Sequence, residues 1–185
     1  MLKSNDIREI LKIGVILFLI TAISAGVLAA VNSLTAPVIK ANAEKKQNEA
    51  MAKVLPEAQS FELIELENLT GSATAVYSAK DAGYVVLCEP NGYGGAISMA
   101  VGVKKDGTVS GIDIISQSET AGLGANCTKD EFKAQFAGKT SGITVSKNGA
   151  KDNQIDAISS ATITSKAVTK GVNDALDAVA GLEAE

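Results

Sequence analysis

The stretch Gly83–Ser116, GYVVLCEPNGYGGAISMAVGVKKDGTVSGIDIIS, decides the fold class. Gly83–Cys88 and Ile97–Val103 are β-rich runs on either side of the turn-forming Pro90-Asn91-Gly92-Tyr93-Gly94-Gly95. Lys105-Asp106-Gly107 marks a tight hairpin, and Thr108–Ser116 follows as a further strand with Val109, Ile112 and Ile114 as core candidates. Short turns between successive strands imply antiparallel pairing.

Outward from this stretch, Phe61–Glu67 (FELIELE) fits a preceding strand. On the other side, Asp130–Phe136 reads as a short helix closed by Gly138, and Gly142–Lys147 as another strand. The last element, from Ser165 to Ala180, places Val168, Val172, Leu176 and Val179 on one helical face. Strands fill the middle and helices the ends. The expected class is α+β, an antiparallel sheet with flanking helices.

Ile13–Val31 reads IGVILFLITAISAGVLAAV, with no charged residue. Roughly 20 such residues at about 1.5 Å per residue cross the hydrocarbon of a bilayer. A cleaved signal peptide is the rival, with small residues at Leu28-Ala29-Ala30 for a peptidase, but its apolar region runs only about 7–15 residues. No Cys follows the run, which disfavours a lipoprotein. Lys3, Arg8 and Lys12 precede the span and Lys40, Lys45 and Lys46 follow it, so basic residues do not set the orientation. A long domain after a short tail is expected to be exported. The expected organisation is a cytoplasmic tail at 1–12, a membrane helix at 13–32, a stalk or linker at 33–60 and an extracytoplasmic domain at 61–185 of a single-pass cell-membrane protein. Pro37 marks the exit from the span, and Pro56 stops a stalk helix over Lys40–Leu55 whose Met51, Val54 and Leu55 gather at its end.

Composition removes several chemistries. The chain has 185 residues, 46% of them hydrophobic but only 4% aromatic, and no histidine. Histidine-ligated metal, haem with a histidine ligand and imidazole triads are excluded. The net charge of −4 argues against nucleic acid as partner. Cys88 and Cys127 lack metal-ligand spacing; they either bridge in an oxidising compartment or stay free. Repeats, phosphate-binding loops and dinucleotide fingerprints are absent, and no metal site is expected.

Three segments carry the candidate chemistry. Asp156–Ser165 (DAISSATITS) is rich in hydroxyls immediately ahead of a helix. A helix N-terminus offers unpaired N–H groups and partial positive charge to a phosphate, and the small residues 159–161 allow close approach. The plainer reading has Thr164 or Ser165 as the helix cap and the other hydroxyls in solvent. Ser116–Gly124 (SQSETAGLG) follows a strand, and its glycines either bring backbone N–H groups against a flat heterocycle or simply make a turn. In Asn91–Gly95, Tyr93 either stacks on a ring or packs on the sheet.

Together, GYGG (Gly92–Gly95), SQSETAGLG (Ser116–Gly124) and DAISSATITSKAV (Asp156–Val168) resemble the FMN-binding domain family in order and spacing. With one N-terminal span and this length, the chain is similar over roughly residues 10–182 to the G subunits of Rnf complexes, the ion-translocating ferredoxin:NAD+ oxidoreductases. The resemblance implies covalent FMN on the last residue of the motif Asp-x-x-Ser/Thr-Gly-Ala-Thr, attached through a phosphoester by a separate flavin transferase that uses FAD and a divalent metal. Residue by residue, the acceptor is Thr162 and the motif acid Asp156. Implied flavin contacts are Tyr93, Gly94, Glu119, Thr120, Gly122, Leu123, Gly124, Ser159, Ser160, Ala161 and Thr164. The implied role is electron relay among the membrane and peripheral subunits of a redox complex, without a substrate pocket of its own.

Two positions depart from the family pattern: Ser160 replaces the usual Gly and Ala121 the usual Pro. The serine matters only if position 160 needs a positive φ. The alternatives are the equivalent subunit of a sodium-pumping NADH:quinone oxidoreductase, a stand-alone extracytoplasmic flavoprotein, and a cofactor-free anchored interaction domain.

Overall fold

The computed structural model describes residues 4–66, 69 and 71–183; Lys3 and Glu67 of the sequence reading fall outside them. The chain divides into two units, Met1–Lys45 and Lys46–Glu185.

Helix α1 (Ser4–Val54) contributes nearly all of the described part of the first unit. It is long and apolar enough to cross a membrane, and none of its apolar window is buried. Two of its hydroxyls bond back to the helix itself: Thr21 donates to the Leu17 and Phe18 carbonyls at 3.0 and 2.9 Å, and Ser33 to the Ala30 carbonyl at 2.8 Å. Such local bonds lower the cost of carrying these hydroxyls into hydrocarbon. Helix α1 runs on through Pro37, the residue expected at the exit from the span. Proline removes one N–H, a local cost that the Ala-, Lys- and Glu-rich helix formers after it outweigh.

In the second unit, β1 (Glu62–Ile64), β2 (Ala73–Ser78), β3 (Gly83–Cys88), β4 (Ser98–Lys104) and β5 (Val109–Ser116) form an antiparallel meander in chain order. Val86 pairs with Val101 and Val101 with Ile112, so alternate side chains share a face. One face, including Val76, Val86, Met99, Val101 and Val103, packs with Val168, Val172, Leu176 and Val179 of helix α3 (Thr162–Glu183). The predicted apolar stripe of that helix therefore faces the core. The opposite face holds Val85 and Ala100, which cluster with Ala50, Met51, Val54 and Leu55 from the end of α1. A Cβ on Gly102 would lie 2.4 Å from the Val54 carbonyl oxygen, so only glycine lets the helix end seat there. Lys53 and Lys133 both reach the buried Asp113 on β5, at 3.3 and 2.8 Å.

The expected strand at Phe61–Glu67 shortens to β1, and β2 goes unread in the sequence because its alternation is weak. Helix α2 (Asp130–Lys133) continues as a 3-10 turn over Ala134–Phe136, close to expectation. The strand expected at Gly142–Lys147 is β6 (Thr144–Ser146), which pairs in parallel with the unforeseen β7 (Gln154–Asp156).

Candidate functional site

The three motif segments meet at one end of the sheet. β3 finishes, β4 begins and β5 finishes there, since Cys88 pairs with Met99 and Ser98 with Ser116. The β3–β4 connection closes on itself through Gly92 N–H to the Gly95 carbonyl, 2.8 Å, and Ile97 N–H to the Pro90 carbonyl, 2.9 Å. The loop after β5 turns tightly, with Leu123 N–H on the Thr120 carbonyl at 3.1 Å, and runs into a 3-10 helix at Gly124–Thr128.

Glu119 ties all three together. Its buried carboxylate accepts the Gly94 N–H at 2.8 Å on one oxygen and the Thr164 hydroxyl on the other. Its own N–H donates to the Gln117 side-chain oxygen at 2.5 Å. A Cβ on Gly92 would fall 2.4 Å from one carboxylate oxygen, and a Cβ on Gly124 would fall 2.5 Å from the other. The glycines of both motifs thus create the slot that receives this side chain.

Above the slot lies a cavity of about 550 Å³. Its wall carries Tyr93, Glu119, Thr120, Leu123 and Gly124 from the two loops, and Ser160, Ala161, Thr162 and Thr164 from the start of α3. Nine of the sequence-expected residues therefore converge. Gly94 sits behind the wall as a donor to Glu119, and Gly122 lies on the outer turn, its carbonyl accepting from Asn126 at 3.0 Å. Asp156 and Ser159 do not join the cavity. They line a separate hollow of about 250 Å³ with Gln135, whose side-chain oxygen accepts the Asp156 N–H at 2.6 Å.

The cavity has an apolar rim. Outside α1, Tyr93 is 72% exposed, Leu123 41% and Ile163 55%, and Leu63 is the only other large exposed hydrophobic residue described. Exposed apolar groups gathered around a hollow point to a ligand or partner rather than to packing within the chain. Ile163 escaped the sequence reading, although an apolar residue set among the hydroxyls of 162–165 was a usable signal. Tyr93, with its high exposure, does not pack on the sheet.

The hydroxyls sort by position. Helix α3 starts at Thr162, three residues before the expected start, so Thr164 and Ser165 lie in its first turn rather than at its cap. Both are buried. Thr164 donates to Glu119. Ser165 donates to the Ala161 carbonyl at 3.0 Å and accepts the Ile158 N–H at 2.9 Å, strapping the 158–161 loop to the helix. Thr162 is half-buried on the cavity wall, and its hydroxyl has no hydrogen-bond partner among the described residues. Ser160 stands at φ +61°, the left-handed region, where the family's usual glycine is at ease and a side chain is strained.

Cys88 and Cys127 are buried and unbridged. Burial pushes Cys88 up to about 12, with the Asp174 charge adding to it. Cys127 is pushed up to about 11, by burial first and the Glu119 charge second. Both thiols stay protonated and unreactive near neutral pH.

Two families match this chain: the FMN-binding domain over residues 92–177 and the RnfG N-terminal region over residues 1–54. The G subunit of the proton-translocating ferredoxin:NAD(+) oxidoreductase complex of Clostridium ljungdahlii is 39% identical, with 97% of this chain and 96% of that one covered. The G subunit of the Na(+)-translocating ferredoxin:NAD(+) oxidoreductase complex of Acetobacterium woodii is 36% identical, with 91% and 90% covered. Among solved structures, the C subunit of the Na(+)-translocating NADH-quinone reductase from Parabacteroides distasonis superimposes with a TM-score of 0.57 at 20% identity, covering 78% of this chain and 94% of that one, a likeness of fold. Since these G subunits match it along nine-tenths or more of its length, the chain belongs to the family of G subunits of ion-translocating oxidoreductase complexes.

Proposed function

We propose that this chain is the electron-transfer flavin subunit of a membrane-bound, ion-translocating ferredoxin:NAD+ oxidoreductase, with FMN esterified through its phosphate to Thr162. Family membership supports the role, and the FMN-binding domain match supports the cofactor. The observation that carries the attachment reading is the contrast between hydroxyls: Thr164 and Ser165 are buried and engaged, whereas Thr162 faces the cavity without a partner among the described residues.

The residues present fit the group. Thr162 opens a 22-residue helix, whose first-turn N–H groups and dipole favour a phosphate at that point. Tyr93, Leu123 and Ile163 offer apolar surface to a flat ring, and the Gly92 and Gly124 positions leave room for the Glu119 carboxylate at the cavity floor. Bound there, FMN supplies one- and two-electron redox chemistry, while the protein supplies its place and its electrostatics. A tether replaces capture from solution by a fixed local concentration.

The attachment calls for a second protein. A threonine hydroxyl is a weak nucleophile and needs a base. The chain has no histidine, and the Glu119 carboxylate is engaged by Gly94 and Thr164. A flavin transferase that brings its own base and metal meets this need. Asp156 and Ser159, exposed on a separate hollow, are available for such an enzyme to read the motif. The apolar window of α1 supports membrane anchoring, and the long domain after a short tail supports an extracytoplasmic site. The remaining partners are the membrane and peripheral subunits of the complex.

The test is ferredoxin-dependent NAD+ reduction by membranes bearing the Thr162→Val form of this protein. The variant should assemble at normal abundance while the activity falls to background. Full activity with the variant would overturn the reading.

A further inference from the structure

We propose that the Glu119 carboxylate, clamped at the floor of the cavity by Gly94 and Thr164, holds down the reduction potential of the flavin bound there. The inference rests on the flavin occupying this cavity, and it assigns one side chain the setting of its potential. Three observations support it. Glu119 is the only charged residue on the cavity wall among the described residues. It is 8% exposed and makes no ion pair among the described residues, so water reaches it little and no neighbouring cation offsets its charge. Each of its oxygens is fixed by a donor from a different segment, so the charge cannot swing away.

The physical step is Coulombic. Each electron that the complex's donor delivers to the ring adds negative charge there, and a nearby fixed carboxylate opposes it, the more so where water is excluded. The same charge already acts on another group in the core, since after burial it is the next cause of the raised Cys127 thiol. A strut alone would need only the two hydrogen bonds. The charge is the additional element.

Glu119→Gln and Glu119→Ala separate charge from strut. Gln keeps an acceptor for Gly94 and a polar partner for Thr164, whereas Ala removes both. With the full-length, flavin-loaded protein, spectroelectrochemical titration should show both variants shifted toward easier reduction, by about tenfold in a one-electron equilibrium, or about 59 mV. An unchanged potential in both, or a rise in the Ala variant only, would overturn the proposal. Should the neutral variants fail to fold, Thr164→Val decides, because it strips one donor from the charge and should lower the potential. No change or a rise would then count against the proposal. Peptide mapping of the wild-type flavin keeps the two ideas apart. Flavin on Thr162 with unmoved potentials sinks only this proposal, whereas flavin on another residue sinks the cavity reading as well.

Discussion

The Thr164 hydroxyl donates to the Glu119 carboxylate across 45 residues of sequence, and this bond decides which of two neighbouring threonines is open to chemistry. It commits Thr164 to the core and leaves Thr162, two residues earlier, on the cavity wall.

The two threonines should therefore respond oppositely to the same change. Thr164→Val leaves a buried carboxylate oxygen without its donor and should cost about 1.5–3 kcal/mol of stability. Thr162→Val removes no described bond and should change stability by less than about 0.5 kcal/mol, yet abolish flavin retention through denaturing electrophoresis. Urea unfolding with in-gel flavin fluorescence checks both. Equal destabilisation, or flavin surviving on the Thr162 variant, would contradict the assignment.

Ser160→Gly should stabilise the domain. A side chain at φ +61° costs about 1–2 kcal/mol, and glycine returns part of that through the entropy of its unfolded chain, leaving a net gain of about 0.5–1 kcal/mol. Denaturant midpoints at constant slope measure it; a loss of stability would mean that the serine hydroxyl makes a compensating contact.

Asp174 should give the domain an acid-sensitive component. Burial pushes its carboxyl up, but hydrogen bonds from Lys170 and from the Ser72 hydroxyl and N–H outweigh that and hold it below its ordinary 3.8. A carboxyl depressed in the folded state stabilises fully above its unfolded value, and that stability is lost as pH falls through the folded one. Unfolding free energy should thus drop below about pH 4, and Asp174→Asn should be less stable at pH 7 with a flatter acid limb. Parallel acid limbs for the two proteins would remove Asp174 as the cause.

The end of α1 should be indispensable to the second unit. Met51, Val54 and Leu55 are buried against one face of the sheet, and each contributes roughly 1.5–3 kcal/mol, together a large part of a domain's usual 5–15 kcal/mol. A chain beginning at Lys46 should fold cooperatively, and one beginning at Pro56 should not. Two-state melting of the shorter chain would show that the helix end is only a stalk.

Much of this was legible in sequence because the signals were local. Strand periodicity around Gly83–Ser116 located β3, β4 and β5 within a residue or so, since turn chemistry fixed their ends. The stripe Val168, Val172, Leu176 and Val179 gave the buried face of α3. What stayed hidden depended on distant partners. That Met51, Val54 and Leu55 belong to a core follows only from Gly102 leaving room for Val54, 48 positions along the chain. The early start of α3 follows from Thr164 and Ser165 spending their hydroxyls on Glu119 and on the 158–161 loop. The separation of Asp156 and Thr162 into two different hollows is likewise invisible to a linear motif.

The central claim is tested most directly by weighing the intact chain made with and without a flavin transferase, then fragmenting its peptides. The account predicts a mass gain equal to FMN less one water only with the transferase, mapped to Thr162. A folded chain that gains no mass beside an active transferase, or a modification mapped to another residue, would contradict it.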